Sequence, residues 1–183
     1  DKGMKLHQLF SGPFTILLVL GSLGLIIGLL FVPPQMFFTK HLLYLMWIVF
    51  SGIMLYPMYV NNKSLFAHAG ITTACLLLTL SIISFMKPDL ISDSWNTYLF
   101  MSLLGLLIGR VVEMFSGIKH DSTYSRVLSY LSILIFSMYV MLDTQNIIAN
   151  AENCVNPDYI NESVNLVLDS MNLFTNIYAV NSD

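Results

Sequence analysis

Apolar stretches of about 20 residues, the length that crosses ~30 Å of hydrocarbon as a helix, alternate along this chain with short polar interruptions. Six of them are predicted as membrane spans: Pro13 to Val32, Leu42 to Val60, Leu65 to Met86, Trp95 to Ser116, Tyr124 to about Ile148, and Tyr159 to about Val180. All six lysines fall in the interruptions, which also hold Pro33-Pro34, Asn61-Asn62 and Lys87-Pro88-Asp89. Such sequences turn the chain sharply, so the expected fold is an all-α polytopic membrane bundle forming a single domain. Gly24 and Gly28 in the first span, and Gly105 and Gly109 in the fourth, have the spacing that lets helix backbones approach closely in lipid.

Composition supports the same solvent. Of 183 residues, 56% are hydrophobic and 10% charged, with a mean hydropathy of +0.72, whereas about a quarter of a soluble domain is charged. Eight basic residues against eleven acidic ones, without a basic cluster, exclude a nucleic-acid binder. Cys75 lies in an apolar run and Cys154 in a polar segment, so two free thiols are expected rather than a disulfide. His7, His41, His68 and His120 have no metal-ligand spacing, and neither a zinc site nor a cofactor is expected. The glycosylation patterns Asn62-Lys63-Ser64 and Asn161-Glu162-Ser163 lie against the membrane and within a helix, and neither is expected to be used. The first apolar run is too long for a cleavable signal peptide. Lys2, Lys5, Lys63, Lys119 and Arg126 on one side, against Lys40 and Lys87 on the other, vote for a cytosolic N-terminus.

Ionisable groups inside the spans are few: Arg110, Glu113, Arg126, Asp143, Glu162 and Asp169. A carboxylate at mid-membrane costs about 2.5 to 3.5 kcal/mol on insertion scales, so each must face protein or water, or carry a proton. Arg126 is near a helix start and can snorkel. Arg110 and Glu113, three apart, are neighbours on one helix face. Either they form a local ion pair reaching the interface, or Arg110 turns inward to balance a buried carboxylate.

The last span carries Glu162, Asn165, Asp169, Asn172 and Asn176 at steps of three and four, one polar stripe on a helix. An amphipathic helix on the membrane surface has this pattern too. The polar face has no Lys or Arg, however, and its amides suit hydrogen bonding within a bundle. A central helix whose stripe lines an aqueous or proton-accessible core is therefore expected. Asp143 sits near the end of the fifth span, before a polar turn from Ala149 to Asp158. Helical rise puts Asp143 ~9 Å and Asp169 ~16 Å from that turn, a gap that tilt or one extra turn closes. If the two acids meet, they cannot both be ionised cheaply, and the pair is a proton-sensitive latch. Otherwise each Asp separately satisfies a backbone group or hydroxyl.

The segment from Ser137 through Asp143-Thr144-Gln145 to Ile148, then Asp158-Tyr159-Ile160, then Leu168-Asp169-Ser170-Met171-Asn172-Leu173-Phe174, resembles the signature end of the Bax inhibitor family, also called the transmembrane Bax inhibitor motif family. Upstream, Ser51-Gly52-Ile53-Met54-Leu55-Tyr56-Pro57 and Leu20-Gly21-Ser22-Leu23 are similar to the family's earlier helices, so the resemblance covers nearly the whole chain. It implies seven membrane segments, of which this chain would hold the second to seventh. Asp1 would then be lumenal, opposite to the lysine vote. It also implies residence in the endoplasmic reticulum, a pH-sensitive leak that lowers stored calcium, and suppression of cell death. The family's proton-titratable acid pair in the last two helices falls on Asp143 and Asp169. The chain departs from the family in three places. Bacterial members have an arginine where Lys40 is the basic candidate, animal members carry an acid where Asn165 stands, and the lysine-rich tail of some animal members is absent.

Three functions follow. The first is a non-enzymatic, pH-regulated calcium leak. Asp143 and Asp169 would hold the shared proton and, when charged, calcium as the transported ion, with Glu162, Asn165, Asn172 and Asn176 lining the path. Arg110, Glu113 and Lys40 are candidate charge partners, and the partners are the lipid bilayer, calcium and protons. The second is a non-conducting regulator that binds Bcl-2-type or other cell-death membrane proteins. The third, an intramembrane aspartyl protease, lacks its GxGD context, since Leu142 and Leu168 precede the aspartates, and no PAL tripeptide occurs.

Overall fold

The structure, a computed structural model, describes residues 13–87, 90–91, 94–117, 122–154 and 156–182. Lys2, Lys5, Lys119, His7, His120, Pro88 and Asp89, used in the reading above, lie outside the described residues. Among those described there are six helices and no strand: α1 (Pro13–Phe31), α2 (Phe37–Asn61), α3 (Lys63–Met86), α4 (Trp95–Phe115), α5 (Thr123–Asn153) and α6 (Tyr159–Val180). By length and composition, α2 to α5 can each cross a membrane, and Ile16–Phe31 of α1 is a shorter apolar helix. Large apolar side chains on their outer faces, such as Phe31, Phe38, Phe85 and Phe115, are exposed, as lipid contact requires. The protein is an integral membrane protein.

Two boundaries differ from the expected spans. α2 begins at Phe37 rather than Leu42, which takes Lys40 and His41 out of the connection and into the helix. α5 runs on through Asn153, where a turn from Ala149 was expected. The added turn holds the strong helix former alanine at 149 and 151. It is closed by the Cys154 N–H on the Asn150 carbonyl and by the Asn153 amide on the Ala149 carbonyl.

The chain divides into two compact units. The first comprises α1, α2, the start of α3 to Phe66, and the stretch that ends at Val164 in α6. Here α1 and α2 form an antiparallel hairpin. A Cβ at Gly21 would meet the Phe50 ring at 3.0 Å, and one at Gly28 would lie 3.9 Å from Leu43. Gly24 has nothing within 4 Å, so the close approach runs through Gly21 and not through the spaced pair read from the sequence.

The second unit comprises α3 from Ala67, α4, α5, and α6 from Asn165. α4 and α5 run antiparallel and are in close contact at Gly109, where an added Cβ would meet Leu128 at 2.8 Å and where the Tyr124 hydroxyl donates to the Gly109 carbonyl. Gly105, its partner in the sequence pattern, faces open space. Ser84, fully buried, donates to the Met141 carbonyl at 2.7 Å and ties α3 to α5, beside a core of Ile91, Leu99, Met141 and Leu142. In apolar helices the hydroxyls of Ser132, Thr144 and Ser170 are satisfied by carbonyls four residues back. α6 is buried at Asp169, Leu173, Phe174, Asn176 and Ile177, on more than one face. It is a central helix of its unit rather than a surface one.

Candidate functional site

The polar stripe of α6 recurs every third or fourth residue, so once the helix is packed among apolar neighbours its polar groups must find one another or water. In the second unit they do so at two levels. At the first, Asp143 in α5 and Asp169 in α6 line the same cavity, near enough to interact with each other. A hydrogen bond between two such carboxyls needs a proton on one of them, because each offers only acceptors when ionised. Asp169 is 6% exposed, and its Oδ2 is buried without a protein hydrogen-bond partner. Tyr139, Asn146, Asn165 and Asn96 join the two acids around a cavity of about 400 Å³. An amide-rich cavity with two contacting carboxyls can hold a proton, or present up to two negative charges and several oxygen ligands to a cation.

The second level lies seven residues further along α6, about 10 Å by helical rise. Arg110 of α4 donates to Glu113 at 2.8 Å, to Ser129 of α5 at 2.9 Å and to Asn176 of α6 at 2.8 Å. The ion pair is thus local, but it is turned inward: Glu113 is buried, and the guanidinium bridges three helices. Gly109 makes this reach possible, because it brings α4 against α5 one residue before Arg110. Arg110, Asn172 and Asn176 line a cavity of about 480 Å³ with Asp169, and a second of about 580 Å³ with Glu113. The inward orientation gives Arg110 to an amide and a hydroxyl as well as to Glu113, and among the described residues no hydrogen bond or ion pair from it to an aspartate is found.

Lys40, a candidate charge partner read as lying in a connection, lies instead within α2. Lys40 is 2% exposed in the first unit, where it forms an ion pair with Asp158 and donates to the Val32 carbonyl at 2.9 Å. Asp158 in turn accepts the Asn161 N–H, which makes it the N-cap of α6. Glu162 belongs to this first unit as well, whereas Asn165, Asn172 and Asn176 belong to the second with the aspartates. Sequence reasoning did not single out Asn96, Tyr139, Asn146 or Ser129. The nearest signal was the position of Asn146 three residues after Asp143 on one helix face.

No group of three or more histidine, cysteine, aspartate or glutamate side chains able to hold a metal occurs among the described residues. The acid pair is therefore a two-carboxyl site supplemented by amide oxygens. Cys75 and Cys154 are free and exposed.

The fold and this site define a polytopic helical membrane protein with two acids facing one cavity between its last two helices. The model of the family described as inhibitor of apoptosis-promoting Bax1 matches residues 4–180, and the chain belongs to that family. It is also similar to a proton-coupled antiporter flippase, LtaA, of Staphylococcus saprophyticus, at 23% identity over 145 residues, 67% of this chain and 35% of the relative. An uncharacterized membrane protein of Vibrio cholerae is 26% identical over 147 residues, 74% of this chain and 62% of the relative. The chain thus spans about a third and about three fifths of the length of these curated relatives. No solved structure matches it.

Proposed function

We propose that the protein is a pH-sensitive calcium leak of an intracellular membrane, the endoplasmic reticulum, and that the Asp143 and Asp169 pair is its gate. The observation that carries this reading is the placing of both acids on one amide-lined cavity, with the Oδ2 of Asp169 buried and without a protein hydrogen-bond partner. While one proton is shared, the pair holds α5 to α6 and carries at most one negative charge. When the proton leaves, two like charges face each other. At ~4 Å their repulsion is about 4 kcal/mol at an effective dielectric of ~20, enough to separate the helices or to recruit a divalent cation. Leak therefore increases as pH rises. The test is calcium flux from liposomes holding the purified protein, across pH 6 to 8, for the wild type, Asp143→Asn and Asp169→Asn. The reading expects a pH-dependent flux that both variants flatten, and it is abandoned if both retain the wild-type pH response.

A second reading, a non-conducting regulator that binds Bcl-2-type cell-death proteins, is favoured by the family's description. A purified protein that passes calcium without partners rules it out as the sole activity. The likeness to a protein named as a proton-coupled antiporter agrees with proton linkage in either the leak or an exchange mode.

A further inference from the structure

Three cavities share their linings along α6. The aspartate cavity and the next have Asp169 in common, and that next one shares Arg110, Asn172 and Asn176 with the third. From Asn165 to Ala179 the run covers fifteen residues of α6, about 21 Å of a hydrocarbon layer ~30 Å thick. We propose that Arg110 and Glu113 form a second, charge-based filter in series with the aspartate pair, with Arg110 setting how readily divalent cations pass and Glu113 offsetting it. This rests on the leak reading above.

Three features of the geometry support it. The Arg110 side chain is about a third exposed, at 32%, in a unit where the neighbouring Glu113 is buried. Its bonds to Ser129 and Asn176 hold it at the meeting point of two cavities. The Glu113 carboxylate neutralises part of its charge without covering it. The cavity between the two levels is lined by Leu103, Leu107 and Phe136 as well as by Arg110, Asp169 and Asn172, so charge there is poorly screened; a fixed cation repels a passing cation in proportion to the charge of both, and a divalent ion is affected most. The bridge would also keep the path narrow, since Arg110 ties α4 to α5 and α6 at one level.

The test is calcium flux together with the reversal potential in a calcium chloride gradient, on the full chain in liposomes, for the wild type, Arg110→Gln, Arg110→Lys and Glu113→Gln. Removing the cation should raise calcium permeability relative to chloride by about tenfold or more. Arg110→Lys should stay within about threefold of wild type, and Glu113→Gln should shift the ratio in the opposite direction, toward chloride. A purely structural role would alter the amount of folded protein, read by its melting temperature, but not this ratio. If the wild type conducts and neither Arg110→Gln nor Glu113→Gln moves the ratio, the filter is overturned while the leak stands. If Arg110→Gln does not fold, Glu113→Gln alone decides by its direction. A wild type that passes no calcium overturns the leak itself, and the filter with it.

Discussion

The ammonium of Lys40 sits between two helix ends in the first unit, donating to the Val32 carbonyl just past α1 and pairing with the Asp158 carboxylate that caps α6. Both contacts are electrostatically matched, since a cation suits the carbonyl end of a helix and an anion the N–H end. One buried charge therefore holds two helix termini 126 residues apart, Val32 and Asp158, within the same unit.

Replacing Lys40 with Met should leave the Asp158 carboxylate without its cation. Asp158 is 24% exposed, so water compensates in part, and a loss of about 1 to 3 kcal/mol is expected. Melting curves of Lys40→Met, Asp158→Asn and the double variant in detergent check this. The double variant should be less destabilised than the sum of the two singles, whereas simple additivity would mean that the pair contributes nothing as a pair.

Gly109 and Gly105 should respond differently to alanine, although they belong to one sequence pattern. At Gly109 the new methyl would require Leu128 to move, and a loss of about 1 to 2 kcal/mol is expected. At Gly105 nothing lies within 4 Å, so the better helix propensity of alanine should leave stability unchanged or raise it by up to about 1 kcal/mol. Melting temperatures of the two single variants decide it, and equal losses would contradict the packing described.

Ser84 ties α3 to α5 through one fully buried hydroxyl. Ser84→Ala removes that donor and leaves the Met141 carbonyl within its own helix, so about 1 kcal/mol should be lost. Ser84→Leu must force α3 away from α5 and should cost more, by about 1 to 3 kcal/mol. Hydrogen exchange of the Met141 to Gln145 backbone should rise in Ser84→Leu and stay near wild type in Ser84→Ala.

Much of this was legible in the sequence, for identifiable reasons. Helix positions followed from apolar run length, and the centrality of α6 from a polar stripe without basic residues. The meeting of Asp143 and Asp169 needed both helical rise and family resemblance, because spacing alone allowed each acid a separate partner. What stayed hidden depended on helix rotation. Helices α1 to α4 are apolar on nearly every face, so periodicity did not say that Gly21 and Gly109, rather than Gly24 and Gly105, face a neighbour. Lys40 looked like a loop charge because proline and polar residues precede it, and nothing local links it to a carboxylate 118 residues away. Arg110 could be assigned to Glu113 by its spacing, but its bonds to Ser129 and Asn176 are tertiary.

In the proposed leak, one proton shared by Asp143 and Asp169 keeps the path shut. Infrared difference spectroscopy of the protein in lipid, titrated across the pH range of the flux change, reads that proton through the carbonyl stretch of a protonated carboxyl. A protonated-carboxyl band is predicted at acid pH, weakening in step with the onset of calcium flux. It should be shifted or absent in both Asp143→Asn and Asp169→Asn. A band that persists unchanged in both variants, or flux that rises while the band is still complete, would contradict the account.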